Sequence, residues 1–266
     1  MTENLFLHPE IFFHGHPAGP DIPGLRPEAP GAKINAFFTG KMPGVDREAV
    51  CRELGTSPEN LFMPVQKHTN EVIVYEEFLT ESGIKNPPEA DAVITAKAGV
   101  ALGIMVADCV PVLLHDEKRG VIGAVHAGWR GTAKAILANA IWKMRSSFGS
   151  HPADILLAIG PAIRKCCYEV DIDVLRQIEA STSPKNEKKV KQADVLFYWM
   201  KGPKAYIDLP EANRQQALAC GLKTENIWLS GMCTSCLPEK FNSYRREFRL
   251  GAKAPGRQGG FIIKHS

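Results

Sequence analysis

Four short apolar runs follow one another closely in the middle of the chain. They are Ala92-Val93-Ile94-Thr95, Ala101 to Val106, Val112-Leu113-Leu114 and Val121 to Val125, separated by Gly, Pro or charged residues. Their length and β-branching predict buried strands, not helices. The block ends at Gly128-Trp129-Arg130-Gly131. Thr132 then offers an N-cap, and Ala133, Ile136, Leu137, Ala140, Ile141 and Met144 recur at helical spacing. Several strands in a row followed by a strong amphipathic helix give no steady βαβ rhythm. The expected class is α+β (mixed α/β), with mixed β-sheets and flanking helices. No Gly-rich nucleotide fingerprint follows a strand, so the pattern lends no support to a dinucleotide fold or a P-loop.

The rest of the chain fits that class. Val45 to Leu54 is helical in spacing, with Asp46 and Glu48 favourable at its start. Glu71 to Tyr75 and Ile155 to Ile159 read as strands, as do Ile227 to Leu229 and Gly259 to Ile263. Asp171 to Ala180 and Leu209 to Ala219 read as helices, and Asn86-Pro87-Pro88 as a turn or loop. Residues 1–35, rich in Pro and Gly, form an irregular N-terminal arm or edge hairpin. Ser181 to Lys204, with its lysines around Phe197-Tyr198-Trp199, reads as a solvated loop with a packed aromatic cluster, or as a lid. There is no internal repeat and no clear boundary, so residues 1–266 are expected to form a single domain.

Composition removes several classes of function. A net charge of +3 is too mild for a nucleic-acid binder. No run approaches the ~20 apolar residues of a membrane span, and with no basic or apolar stretch at Met1-Thr2-Glu3-Asn4 a secretory signal is not expected. Seven cysteines, two of them adjacent, do not suggest a disulfide framework. A cytoplasmic protein, monomeric or a weak dimer, is expected.

Chemistry gathers where the apolar runs end. Ala107-Asp108-Cys109-Val110-Pro111 carries a cysteine, Val125-His126-Ala127-Gly128 a histidine, and Gln66-Lys67-His68 a second histidine. Two histidines and a cysteine are enough to hold a zinc ion with one position open. A Cys109–His126 pair is equally enough for nucleophilic catalysis.

The motifs together resemble a known family. Gln66-Lys67-His68-Thr69, Ala90-Asp91-Ala92-Val93, Ala107-Asp108-Cys109-Val110-Pro111-Val112 and His126-Ala127-Gly128-Trp129-Arg130-Gly131-Thr132 come first. Ile159-Gly160-Pro161-Ala162-Ile163, Cys167-Tyr168-Glu169-Val170, Cys233-Thr234, Phe241-Asn242-Ser243-Tyr244-Arg245-Arg246 and Gly256-Arg257-Gln258 follow in order. From about residue 60 onward the chain resembles the YfiH family, also called the polyphenol oxidase or laccase-domain family. The arm departs from it: Phe12-Phe13-His14-Gly15-His16 and Ile34-Asn35-Ala36-Phe37 stand where a Phe-Ser-Thr-Arg stretch and an Asn-Leu pair are expected. Arg26 is the candidate substitute for the missing arginine.

The resemblance implies a zinc-dependent enzyme acting on purine nucleosides. It would be a phosphorylase of adenosine, inosine and methylthioadenosine, with adenosine deaminase activity beside it. The metal ligands carried over by motif are His68, Cys109 and His126. Zinc is preferred to copper. A multicopper array needs many histidines, and this chain has eight, several in terminal or charged segments. Phosphate needs an anion site, for which Arg130 and Thr132 at a helix start, with Arg245, Arg246 and Arg257, are candidates. Asp108 is a candidate to orient a histidine or to protonate the purine. Gln66 is a candidate contact near the metal or substrate. Asp91 is either part of the site or only a strand start.

Cys233-Thr234-Ser235-Cys236 has zinc-knuckle spacing, but adjacent Cys166 and Cys167 do not look like its second pair and read as core residues. Three rival readings stand beside the nucleoside enzyme. One is a metal-free Cys–His hydrolase or amidase editing peptidoglycan precursors, suggested by some family members; one is a copper polyphenol oxidase; the third is a non-catalytic protein with a structural zinc.

Overall fold

The computed structural model describes residues 4–9, 34–78, 86–182, 196–251 and 255–265. Most of the N-terminal arm, with Arg26, His14 and His16, and the lysine-rich residues 183–195 lie outside the described residues.

In chain order the strands are β1 (Phe6–Leu7), β2 (Ile34–Thr39), β3 (Leu61–Phe62), β4 (Val72–Val74), β5 (Ala92–Thr95), β6 (Ala101–Val106), β7 (Val110–Asp116) and β8 (Val121–Ala127). They continue with β9 (Leu156–Ile159), β10 (Glu169–Asp171), β11 (Tyr198–Lys201), β12 (Lys204–Ile207), β13 (Ile227–Leu229) and β14 (Gln258–Lys264). The helices are α1 (Arg47–Leu54), α2 (Trp129–Ala133), α3 (Ile136–Phe148), α4 (Ile172–Thr182), α5 (Leu209–Ala219) and α6 (Tyr244–Arg249). None of the described helices is long and apolar enough to cross a membrane.

Two mixed sheets face each other. One is five-stranded in the order β1-β2-β14-β6-β3, the other six-stranded in the order β13-β9-β7-β8-β5-β4. Ala36, Phe38, Leu102, Ile104 and Ile262 of the first pack against Val93, Leu113, Ile122, Ala124 and Ala158 of the second. The far face of the six-stranded sheet is covered by α3, α4 and α5 through Ile136, Leu137, Met144, Ile178 and Ala217. The far face of the five-stranded sheet is covered by α1 through Val50, Cys51 and Leu54. Strands β7 and β8 are therefore buried on both faces along their whole length. That is why they read as continuous apolar runs and not as an alternation. Phe38 packs tightly on Gly160 after β9: a Cβ there would lie 2.4 Å from its ring.

Two expectations need correction. The helix expected from Thr132 begins earlier, with Gly128 as N-cap, and is split in two by Ala135 in the left-handed region. Thr132 is thus an interior residue of α2, and its hydroxyl accepts from Asn213 Nδ2 at 3.0 Å. The segment expected as loop or lid is, over its described part, a hairpin. β11 and β12 pair antiparallel, β10 joins them, and Trp199 stacks on Tyr206 at 4.1 Å between ring centroids. The sequence signal was Gly202-Pro203 between β-forming residues, masked by the surrounding lysines. The described part of the N-terminal arm contributes the edge strand β1, which pairs antiparallel with β2, in keeping with the edge-hairpin alternative.

Candidate functional site

Strand register builds the site. β7 and β8 pair antiparallel with Pro111 opposite His126, so Cys109, just ahead of β7, stands beside the histidine near the end of β8. β5 pairs with the other edge of β8 with Ala92 opposite Val125, and this brings Asp91 alongside His126. The backbone N–H of His126 donates to Asp91 O at 2.7 Å. His68 arrives on the loop between Val65, bridged to Glu89, and β4. Its φ of 58° turns the chain sharply there.

The nitrogen and sulfur atoms of His68, Cys109 and His126 all lie within 4.8 Å of one another. Cys109 Sγ is 3.8 Å from His68 Nε2, and the two imidazoles meet edge to face with centroids 4.8 Å apart. Gly128 leaves room for this: a Cβ there would lie 2.9 Å from His68 Cδ2 and 3.0 Å from Cys109 Sγ.

Asp91, left open between a site role and a strand start, is the residue that organises the cluster. Its Oδ1 accepts from His126 Nδ1 at 2.6 Å and from the backbone N–H of His68 at 3.0 Å. Its Oδ2 accepts from the N–H of Lys67, the N–H of Thr69 and the Thr69 hydroxyl. One fully buried carboxylate therefore fixes the tautomer of one imidazole and the loop carrying the other. Against the cost of burial, the His126 and Thr69 hydrogen bonds hold its pKa well below the usual carboxylate range.

The electrostatics favour a charged pair. Burial opposes a thiolate at Cys109, yet the His126 charge and hydrogen bonds from both histidines bring its pKa down to about 6. Burial likewise opposes the imidazolium of His126, but Cys109 and Asp91 raise it to about 9. With Nδ1 committed to Asp91, the proton facing Cys109 sits on Nε2. A cation held by the three residues would replace that proton. Two imidazole nitrogens and one thiolate sulfur form a borderline-soft donor set that suits a tetrahedral ion with one open position.

The other expected residues divide. Tyr168, to which the sequence reading gave no role, is a buried neighbour of the cluster. Burial and then the Cys109 charge push its hydroxyl upward, while Arg245 and Arg130 pull the other way. The Arg245 guanidinium lies 5.1 Å over the Tyr168 ring and donates to Glu169 O. Arg130 is exposed and packs on Trp129 at 4.3 Å. Arg130 and Arg245 thus border the Cys109–Tyr168 corner. Thr132 faces α5, and Arg257 donates to Pro255 O and Gly256 O of its own loop. Arg246 clamps the carbonyls of Thr234, Ser235 and Phe241.

Asp108 and Gln66 have structural partners. Asp108, at φ 82°, accepts from Thr234 Oγ1 at 2.6 Å, Ser243 Oγ at 3.0 Å and Arg245 N at 2.7 Å. It shapes the turn presenting Cys109, while orienting a histidine falls to Asp91. The Gln66 amide exchanges two hydrogen bonds, both 2.7 Å, with the backbone of Met105, extending the edge of β6. The cysteine expectation also changes. Cys166 is exposed and Cys167 half-buried, and their sulfurs stand beside Cys233 and Cys236.

Residues 44–265 match the family described as multi-copper polyphenol oxidoreductase laccase. The chain belongs to that family. A purine nucleoside phosphorylase of Bacteroides thetaiotaomicron is 35% identical over 210 residues, covering 77% of this chain and 74% of that protein. One from Xylella fastidiosa is 33% identical over 234 residues, covering 84% and 85%. The adenosine deaminase RL5 of an unknown prokaryotic organism is 33% identical over 204 residues, covering 75% of each. Among solved structures, YlmD of Geobacillus stearothermophilus superposes with a TM-score of 0.76 at 29% identity, covering 88% of this chain and 93% of that one. YfiH of Bacillus licheniformis gives 0.74 at 29% identity, covering 87% and 92%. The mixed-sheet fold and the YfiH resemblance read from the motifs are thereby shown. Despite the laccase family's description, the only histidines that share a candidate metal cluster among the described residues are His68 and His126.

Proposed function

We propose that this chain is a zinc-dependent purine nucleoside phosphorylase with adenosine deaminase activity beside it. Purine nucleosides and phosphate would be its substrates, and His68, Cys109 and His126 its metal ligands. The observation carrying the reading is the three-residue cluster with both histidines held by Asp91, in a chain whose relatives bear those enzyme names. Bound there, zinc supplies a Lewis acid with one coordination position free. The protein's part is positioning. Arg130 and Arg245 border the cluster and offer bidentate contacts to a phosphate. Phosphorolysis passes through an oxocarbenium-like state, so placing phosphate against the anomeric carbon and stabilising the departing base is most of what the reaction requires.

Cys109 with a pKa near 6, His126 near 9 and Asp91 behind it also form a nucleophile, base and orienting group. That favours a metal-free Cys–His hydrolase or amidase as the second reading, and His68 separates the two. A metal centre needs it, whereas a Cys–His–Asp array does not. Adenosine and phosphate incubated with the purified protein, read by chromatography, should yield adenine and ribose-1-phosphate. His68→Ala should lower zinc content by about one equivalent per chain and abolish turnover. No zinc and no adenine release from the wild type would transfer the assignment to Cys–His hydrolysis, in which amide cleavage should survive His68→Ala.

A further inference from the structure

Strands β9 and β13 are parallel neighbours, with Leu229 opposite Ile159. The turns that follow their C-terminal ends are laced together: Ala162 bridges Cys233, and Thr234 N donates to Ala162 O. One turn carries Cys166 and Cys167, the other Cys233 and Cys236. Their four sulfurs lie within 4.8 Å of one another. Cys236 Sγ is 3.5 Å from Cys166 Sγ and 3.3 Å from Cys167 Sγ.

We propose that Cys166, Cys167, Cys233 and Cys236 form a second metal site, all-thiolate and tetrahedral, which takes a zinc ion and pins these two turns together. The geometry is close to what the ion needs. Zn–S bonds of about 2.3 Å in a tetrahedron set sulfurs about 3.8 Å apart. A disulfide would engage only two of the four thiols, and Cys236 stands near both members of the other pair. A single cation engages all four at once.

Four cysteines gathered in so small a volume would repel one another once ionised, and a dication removes that penalty. Binding releases the thiol protons to solvent and changes no oxidation state. Exposure of Cys166 and Cys236 gives the ion a way in.

The position explains what the ion would do. Thr234, between Cys233 and Cys236, donates to Asp108, the residue that shapes the Cys109 turn. Tyr168, next to Cys167, borders the nucleoside site proposed above. The all-cysteine site is independent of that reading, since none of its ligands belongs to the His68, Cys109 and His126 set.

The test is metal counting on the full chain, purified under reductant and reconstituted with zinc. Wild type should hold two zinc ions, and Cys109→Ala and Cys236→Ser one each. In cobalt-substituted protein, the thiolate-to-cobalt charge-transfer band should persist in Cys109→Ala. It should weaken strongly in Cys236→Ser and in Cys166→Ser, which serves if the first variant folds poorly. One zinc in wild type, lost completely in Cys109→Ala, would overturn the proposal. So would a disulfide among the four cysteines in protein purified without reductant, coupled with failure to take up a second zinc after reduction.

Discussion

Asp91 shows how one residue sets a site it does not itself complete. It binds the backbone of three consecutive residues and the Nδ1 of His126, so its loss releases both histidines together. Asp91→Asn keeps the shape but cannot accept equally from every partner. Zinc affinity should fall by about 10- to 100-fold, measured by chelator competition. Gly128→Ala tests the space around the cluster, because its Cβ would meet His68 and Cys109 at 2.9 and 3.0 Å. Zinc affinity should drop while far-ultraviolet circular dichroism stays unchanged. Cys109 provides the pH prediction. Its pKa lies below the ordinary thiol value, so the thiolate persists above about pH 6 and is lost as pH falls through that value. In zinc-stripped protein, iodoacetamide should label Cys109 with a midpoint near pH 6, well below the ~8.5 of a free thiol. Cys220, raised to about 11 by burial, should label far more slowly at pH 7.

At the scale of elements, the site is a product of register. His126 stands opposite Pro111 and next to the partner of Ala92. A one-residue slip of β8 would turn the imidazole to the other face. The strands were legible because β5, β7 and β8 are buried on both faces, β6 is buried at every residue but Met105, and all four carry apolar runs. The break between α2 and α3 was not, since Ala135 gives no local signal of a left-handed turn. The β11–β12 hairpin was hidden by its lysines. Phe38 joins the two sheets, stacked beside Trp228 and packed against Gly160 and Gly260. Phe38→Ala opens a cavity in the interface between the sheets and should cost about 3–5 kcal/mol, read from urea denaturation midpoints.

For the whole molecule, a metal held by the cluster would link binding to folding, because its three residues come from the turn ahead of β7, from β8 and from a loop near β4, separated by up to 58 residues from His68 to His126. An ion that binds only the folded chain stabilises it by about 2.7 kcal/mol at a hundred times its Kd. Stripping the zinc should therefore lower Tm, and adding zinc back should restore it in wild type. Cys109→Ala should recover only the part owed to the four-cysteine site; full recovery would show that the His68, Cys109 and His126 cluster holds no stabilising ion. The sequence by itself determined the strand-rich fold class, the strongest helix face and the three residues His68, Cys109 and His126 that meet in one cluster, because periodicity and motif are local properties of the chain. Only the tertiary structure decided that Asp91, not Asp108, orients the histidines, that Thr132 points into the helices, and that Cys166 and Cys167 meet Cys233 and Cys236. Each of these is a contact between segments far apart in sequence, fixed by how sheets register and turns pack. No spacing along the chain encodes it.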